Sequence, residues 1–174
     1  MWGAFGRTGN GIFFAYIASL QANFFSNIQV TIMADLSLTA LAATMKELDI
    51  CMMTTQGKTA AFSSRPMSNN RDVTYEGDSY FFTYEKTGKI IDLEANPNTC
   101  LNFESKDELY ISVTGKAKLI RDKASFEAHW QKSLEQWFPE GIDTKGMVLI
   151  HVKGSKICYW QREKQGVIKL GKRA

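Results

Sequence analysis

Residues 108–120 read ELYISVTGKAKLI and carry the clearest structural signal of the chain. Apolar or small residues occupy every second position from Leu109 to Leu119, with mostly polar residues between them. This period of two is the pattern of a β-strand with one buried face. A strand of this length is typical of a barrel, where it bends at a glycine such as Gly115. The stretch therefore predicts a long strand that bends within a β-barrel.

The segments around this strand have the same character. Shorter strands are predicted where residues alternate or are β-branched and aromatic, and where turn residues separate them. They are residues 49–55, 59–65, 79–84, 99–103, 146–152 and 156–162. The strands outweigh the predicted helices and do not alternate with them regularly. This favours a mainly β fold, an antiparallel barrel with flanking helices.

Three short helices are predicted between the strands. The first is capped by Asp35 or Ser37, and the second covers residues 89–95 and ends at Asn96-Pro97. The third begins after Asp122 and is predicted as one continuous helix. Its apolar face would consist of Phe126, Trp130, Leu134 and Trp137.

The composition argues against several classes of protein. The 174 residues carry a net charge of +3, which is too small to indicate a nucleic-acid-binding protein. The three cysteines form no CxxC pair, so we expect free thiols in a reducing compartment, the cytoplasm. His129 and His151 lack the spacing of metal ligands, and no metal site is predicted. The apolar run at residues 12–20 is too short to span a membrane.

The first 32 residues differ from the rest, since Arg7 is their only charged residue. One interpretation is an N-terminal extension outside the fold, with a single domain over residues 33–174. The other is a signal peptide, with Arg7 before an apolar segment at residues 12–20. We favour the extension, because the segment that follows residue 20 is a poor cleavage site and Met33 opens a segment that looks like the normal N-terminus of a cytosolic protein.

Two cationic residues lie where predicted elements end or begin. Arg65 ends a predicted strand, and Lys89 starts a predicted helix directly after Thr87 and Gly88. Two cations, a hydroxyl group and a helix N-terminus together suit a phosphate group. The chain has neither GxxxxGK[ST] nor GxGxxG, which argues against a nucleoside triphosphate or dinucleotide cradle. The alternative is that both cations are ordinary solvated charges.

Other residues near these positions suit a bound planar molecule. Pro66 lacks an N–H group, so the predicted strand ends there and frees backbone groups near Met67 and Ser68. Thr83 alternates with Phe82 and could hydrogen-bond a ligand. Met67 and Trp137 either belong to the core or line a cofactor pocket. No nucleophile or general base has a recognisable motif, so the chain is expected to hold a molecule that brings its own chemistry.

Several segments, in this order, resemble the pyridoxamine 5'-phosphate oxidase-like FMN-binding split barrels, and most closely their general stress protein branch. These segments are SSRPM (63–67), YFFTYEKTGKIIDLEANPNTCLNF (80–103), LYISVTGKAKLIRD (109–122), QWFPEGID (136–143) and ICYWQ (157–161). The resemblance covers the chain from about residue 38 to residue 161. It implies a split barrel that forms a homodimer with FMN in clefts between the subunits.

The resemblance also implies a role for individual residues. Arg65 and Lys89 would hold the FMN phosphate, with Thr87 helping. Backbone groups of Pro66, Met67 and Ser68 would line the isoalloxazine edge. Phe82 and Thr83 would contact the ring and its ribityl chain, and Trp137 and Phe138 would approach the flavin from the partner subunit.

The activity that the resemblance implies is that of an FMN-dependent oxidoreductase with an unknown small-molecule substrate. Thr87-Gly88-Lys89 replaces the Ser-Arg-Lys of the oxidase, and the oxidase's C-terminal substrate segment is not recognisable. Oxidation of pyridoxamine 5'-phosphate is therefore not expected. The alternatives are a flavin-binding or flavin-buffering protein without turnover, and a barrel that uses the cleft for haem.

Overall fold

The computed structural model describes residues 36–69 and 75–171, which form seven strands and three α-helices. In chain order these are α1 (Leu38–Met45), β1 (Ile50–Gln56), β2 (Phe62–Ser68), β3 (Asp78–Tyr84), α2 (Gly88–Ala95), β4 (Asn98–Glu104), β5 (Leu109–Ile120), α3 (Lys123–His129), β6 (Met147–Gln161) and β7 (Lys164–Lys169). Two 3-10 helices, Lys132–Gln136 and Gly141–Asp143, lie between α3 and β6.

The strands form one antiparallel sheet in the order β2-β1-β4-β5-β6-β3, and β7 also pairs with β6. Strands that are far apart in the chain become neighbours, as when β3 pairs with β6. The predicted mainly β, antiparallel architecture with short flanking helices is confirmed. None of the described helices is long and apolar enough to cross a membrane.

The inward residues of the strands and the apolar faces of α1 and α2 form the main core. Ser37 begins α1, because its Oγ accepts a hydrogen bond from the N–H of Ala40 at 3.1 Å. Leu41 and Met45 lie one helical turn apart on the same face of α1, and both are buried in the main core. Side chains with no more than 1% exposure fill the centre: Met53, Phe81, Ile90, Leu101, Ile111, Val113, Val148, Ile150, Val152 and Ile157.

A second, smaller group of side chains lies under α3 and is called the aromatic cluster here. It consists of Phe82, Phe126, Trp130 and Phe138, whose rings meet edge to face at centroid distances of 5.5 to 6.2 Å. Such edge contacts are favourable for aromatic quadrupoles. The cluster attaches α3 and the segment after it to β3.

The long strand β5 has its irregularity at the glycine that the sequence pattern singled out. β5 spans 12 residues, and its register with β6 shifts between Thr114 and Gly115. A Cβ atom at Gly115 would overlap the backbone carbonyl oxygen of Lys153. Glycine is therefore required for the close approach of β5 and β6 at this point.

The prediction that β2 ends at Arg65 is wrong. Pro66 pairs with Met52, and β2 continues to Ser68 opposite Ile50. The reason is position in the sheet: β2 is an edge strand whose described partner is β1 alone. A proline on an edge strand can direct its missing N–H away from the ladder.

The structure also corrects the third helix and the last strands. α3 ends at His129, and Trp130 takes an extended conformation (φ −71°, ψ 140°) so that its ring joins the aromatic cluster. The two strands predicted at residues 146–152 and 156–162 are one continuous strand, β6 (Met147–Gln161), and the seventh strand is instead β7. Gly154 and Ser155, which suggested a turn, lie instead at the register shift between β5 and β6, and β6 continues through them.

Two predictions fall outside the described residues. These are the boundary between residues 32 and 33, and most of the loop predicted for residues 69–75.

A stack of three rings joins α3 to the sheet beside the aromatic cluster. The Tyr80 ring lies between His129, at a centroid distance of 3.8 Å, and His151, at 4.6 Å. The Nε2 atom of His151 lies 3.1 Å from a carboxylate oxygen of Asp78. Burial lowers the pKa of His129, and the charge of His151 lowers it further.

Replacement of Gly115 by alanine should destabilise the fold. The added Cβ must displace the Lys153 carbonyl, and we expect a loss of roughly 1–3 kcal/mol in the free energy of unfolding. Urea denaturation measures this loss. Gly88→Ala is the matched control, since nothing lies within 4 Å of that Cβ position. Equal stability of both variants would contradict the close approach.

Acidification should weaken the attachment of α3. Because the pKa of His129 is lowered in the folded chain, the unfolded chain binds more protons once the pH falls below the ordinary histidine value of about 6.5. The contribution of His129 to stability is therefore complete above this pH and is lost as the pH falls towards the lower folded pKa. The free energy of unfolding of His129→Gln should decline less between pH 7.5 and pH 5 than that of the wild type. Identical slopes would refute this assignment.

Candidate functional site

Arg65 is held by three hydrogen bonds on the inner side of β2. Its Nη1 donates to the hydroxyl oxygen of Thr55 at 2.6 Å and to the carbonyl oxygen of Met53 at 3.2 Å. Its Nη2 lies 3.4 Å from the Oδ2 of Asp92. The register explains this position, because Arg65 faces Met53 across the β1–β2 pair. A guanidinium group has five N–H bonds, so the head group keeps donors for a further acceptor.

Asp92 and Thr55 complete the support of Arg65. The Thr55 hydroxyl is 1% exposed and donates to Asp92 Oδ2 at 2.7 Å. On the other side of the carboxylate, Gly57 leaves no room for a side chain, since a Cβ there would lie 2.7 Å from Asp92 Oδ1. One carboxylate therefore links β1, β2 and α2. Neither Thr55 nor Asp92 was predicted from the sequence, although Asp92 lies one helical turn after Lys89.

Lys89 lies close enough to Arg65 for the two charges to interact. Burial lowers the pKa of the Lys89 ammonium, and the positive charge of Arg65 lowers it further. Lys89 Nζ donates to the Thr83 hydroxyl oxygen at 2.9 Å, which directs the ammonium towards β3. The structure thus brings together the two cations that are 24 positions apart in the chain. They are called the cation pair below.

The first turn of α2 lies beside the cation pair. Thr87 is the N-cap residue, and its carbonyl accepts from the N–H groups of Ile90 and Ile91. Within the described residues, no acceptor is seen for the N–H groups of Gly88 and Lys89. The Thr87 hydroxyl donates to the Tyr84 carbonyl at 3.0 Å, so its single proton is used to fix the turn.

The three residues after Arg65 have different environments. Met67 is 7% exposed and its side chain belongs to the main core. Pro66 and Ser68 are exposed on the opposite face of β2. Successive side chains of a strand point to opposite faces, which explains why Met67 is buried while its two neighbours are exposed.

Ser68 and Trp137 line one cavity of about 590 Å³ within the single chain. Its floor is fixed by Asn69, whose side-chain amide donates to the carbonyl oxygens of Met45 and Leu48 at 3.2 and 3.1 Å. Trp137 is 60% exposed at the wall. The resemblance implies that Trp137 approaches the flavin from a partner subunit, and this stays a prediction; within its own chain Trp137 lines the same cavity as Ser68.

Of the remaining predicted residues, Thr83 contacts the cation pair, whereas Phe82 and Phe138 lie in the aromatic cluster. Phe82 and Thr83 point to opposite faces of β3: Thr83 is buried towards Lys89, and Phe82 belongs to the aromatic cluster. Phe138 is 3% exposed and fills the same cluster. In this chain the side chains of Phe82 and Phe138 therefore hold α3 and its following segment on the sheet.

Comparison with solved structures identifies the fold. A Clostridium acetobutylicum protein related to general stress protein 26 superposes with a TM-score of 0.68 at 19% identity, over 78% of this chain and 96% of that one. General stress protein 26 of Bacillus anthracis gives 0.63 at 24% identity, over 76% and 98%. The general stress FMN/FAD binding protein of Xanthomonas citri gives 0.63 at 19% identity, over 79% and 96%. These similarities confirm the predicted split β-barrel.

No curated protein matches the chain. Its sequence does match the family described as Pyridoxamine 5'-phosphate oxidase like, over residues 37–173. This match covers nearly all of the described residues and agrees with the resemblance found in the ordered segments. The chain therefore belongs to the pyridoxamine 5'-phosphate oxidase-like family.

Proposed function

We propose that the chain is an FMN-binding flavoprotein that holds the FMN phosphate between the cation pair and the first turn of α2. The observation that carries this proposal is the approach of Arg65 and Lys89. Two like charges held near each other gain from an anion placed between them, and the positive charge of Arg65 already lowers the pKa of Lys89. Asp92 offsets only one of the two charges.

The donors at this place suit a phosphoryl group. Arg65 retains N–H groups beyond those that bind Thr55, Met53 and Asp92, and Lys89 contributes an ammonium. The N–H groups of Gly88 and Lys89 add the positive end of a helix. A phosphate monoester carries nearly two negative charges at neutral pH and accepts several hydrogen bonds. The residues present therefore fit this part of FMN.

The family and one neighbour favour a flavin as the rest of the ligand. The Xanthomonas citri protein is described as binding FMN or FAD. We favour FMN, because the cation pair forms one compact anion site and the chain lacks a dinucleotide motif. The backbone of Pro66, Met67 and Ser68 would then face the isoalloxazine edge.

Bound FMN would supply hydride and electron transfer to a small molecule, and the chain would supply binding and orientation. In the part of the chain that the structure describes, both histidines lie on the other side of β3 from Lys89. The residues around the cation pair therefore position a cofactor and do not offer an imidazole for proton transfer. We propose an oxidoreductase activity in the cytoplasm, in keeping with the free thiols of Cys51, Cys100 and Cys158.

The position of both histidines away from Lys89 also favours a second candidate, a flavin-binding protein without turnover. The two differ in kinetics. Steady oxidation of NADH or NADPH by the FMN-loaded protein, with an added acceptor, supports the enzyme. A single reduction without turnover supports the binder.

We further propose that the chain forms a homodimer through the outer face of its sheet. The strand registers place exposed apolar side chains next to each other on this face. Met52 lies opposite Pro66, and Tyr110 lies opposite Trp160. Exposed apolar groups of this extent on one face are typical of an interface. The face carries Ile50, Met52, Phe62, Tyr110, Trp160 and Val167.

Removal of either cation should weaken FMN binding. Arg65→Ala and Lys89→Ala should each cost roughly 1.5–3 kcal/mol, the scale of a hydrogen bond to a charged group. Quenching of flavin fluorescence measures the Kd. Riboflavin, which lacks the phosphate, should bind all variants equally.

Lys123→Ala is the matched control, because this exposed lysine pairs with Asp143 away from the site. Its FMN affinity should equal that of the wild type. If Arg65→Ala and Lys89→Ala also retain wild-type affinity for FMN, the phosphate assignment is wrong.

A charge on the outer face should separate the subunits. Trp160→Glu should shift the mass in solution to that of one 19.6 kDa chain, because an unpaired carboxylate would be buried in the interface. Light scattering after size exclusion measures this mass. Ile91→Glu is the control, since Ile91 is 59% exposed but lies on α2. A monomeric wild type would rule out the interface.

A further inference from the structure

We propose that Asp92 is the positioning residue of the phosphate site, and that its charge limits how tightly the site holds FMN. This inference rests on the proposed binding of the FMN phosphate by Arg65. It assigns to one carboxylate two opposite effects on the same ligand. Asp92 fixes the guanidinium in the orientation that serves the phosphate, and it repels the phosphate itself.

The positioning effect follows from the geometry. Asp92 Oδ2 receives the Thr55 hydroxyl at 2.7 Å and lies 3.4 Å from Arg65 Nη2, while Thr55 also accepts from Arg65 Nη1 at 2.6 Å. The guanidinium is thus bound through both Nη1 and Nη2, which restricts the rotation of the Arg65 side chain about its own bonds. An arginine held in this way loses less conformational freedom when it binds an anion.

The carboxylate itself is also held in place. Thr55 is 1% exposed, and Gly57 lies directly against Asp92 Oδ1. The side chains of Arg65 and Asp92 are 21% and 19% exposed, so water screens their charges only in part. Asp92 therefore cannot turn away from Arg65 without leaving the buried Thr55 hydroxyl without its acceptor.

The repulsive effect follows from the charge at the site. Arg65 and Lys89 contribute two positive charges and Asp92 one negative charge, which leaves a net charge of about +1 for a group that carries nearly −2. A site with the same donors but without this carboxylate charge would hold the dianion more tightly. We infer that Asp92 gives a defined binding geometry together with an affinity low enough for the flavin to exchange.

Two substitutions at one position separate these effects. Asp92→Asn keeps an oxygen that can accept from Thr55 and Arg65 but removes the charge. Asp92→Ala removes both the charge and the acceptor. The Kd values for FMN and for riboflavin are measured by flavin fluorescence in each variant, and again in each variant combined with Arg65→Ala.

Asp92→Asn should bind FMN about three- to fivefold more tightly than the wild type, the scale of a partly exposed charge interaction. Asp92→Ala should bind FMN at least about threefold more weakly than Asp92→Asn, because Arg65 is no longer fixed. When each is combined with Arg65→Ala, Asp92→Asn and Asp92→Ala should bind FMN equally well. Both double variants should still bind FMN more tightly than Arg65→Ala alone, because the carboxylate charge is gone. Riboflavin affinity should not change in any variant.

The outcomes distinguish this inference from the proposed function. If Arg65→Ala weakens FMN binding but Asp92→Asn binds FMN no more tightly than the wild type, the role of Asp92 is overturned and the phosphate site stands. If the wild type binds FMN and riboflavin equally and Arg65→Ala changes nothing, the proposed function falls, and this inference falls with it. Should Asp92→Ala not fold, Thr55→Val tests positioning, and unchanged FMN affinity in that variant refutes it.

Discussion

The hydrogen-bonded ion pair of Arg65 and Asp92, with Thr55 between them, is the contact on which the candidate site depends. It joins the β1–β2 hairpin to the short helix α2, with Asp92 27 positions after Arg65 and 37 after Thr55. Charges at this depth are tolerated because the two groups are paired with each other and the buried Thr55 hydroxyl bonds to both. The same contact holds the start of α2 beside β2, and so places Lys89 next to Arg65.

Local patterns in the sequence were sufficient for most of the fold. The alternation in residues 109–119 identified β5, and Ser37, Asp122 and the Asn96-Pro97 pair identified helix ends. The errors arose where position in the sheet overrides a local signal. Pro66 breaks a central strand but not the edge strand that β2 turned out to be. Gly154-Ser155 resembled a turn, yet a bulge opposite Gly115 keeps β6 continuous.

The site was predictable only in part. Lys89 could be chosen because helix starts are common anion sites. Arg65 was chosen for a strand end that the structure does not show, yet it lies near Lys89. The Arg65–Thr55–Asp92 contact depends on the register of β1–β2 and on the packing of α2 against β1, and the Lys89–Thr83 contact depends on the turn between β3 and α2. Single-strand patterns fix none of these. Trp137 and Phe138 are adjacent in sequence, but Trp137 lines a cavity and Phe138 is buried. The α-helix expected to carry Trp137 on its apolar face ends at His129, and a 3-10 helix follows it.

The continuous strand β6 has a consequence for how the polypeptide acquires its shape during synthesis. β3, which carries the hydroxyl partner of Lys89, pairs in the described residues with β6 alone, about 70 positions downstream. Closing so long a loop costs entropy and slows folding. A nascent chain that has left the ribosome only as far as β5 can form the Arg65–Asp92 contact but cannot anchor β3. β6 thus fixes the strand that carries Thr83, and a chain that ends after β5 would keep the Arg65–Asp92 contact without an anchored β3.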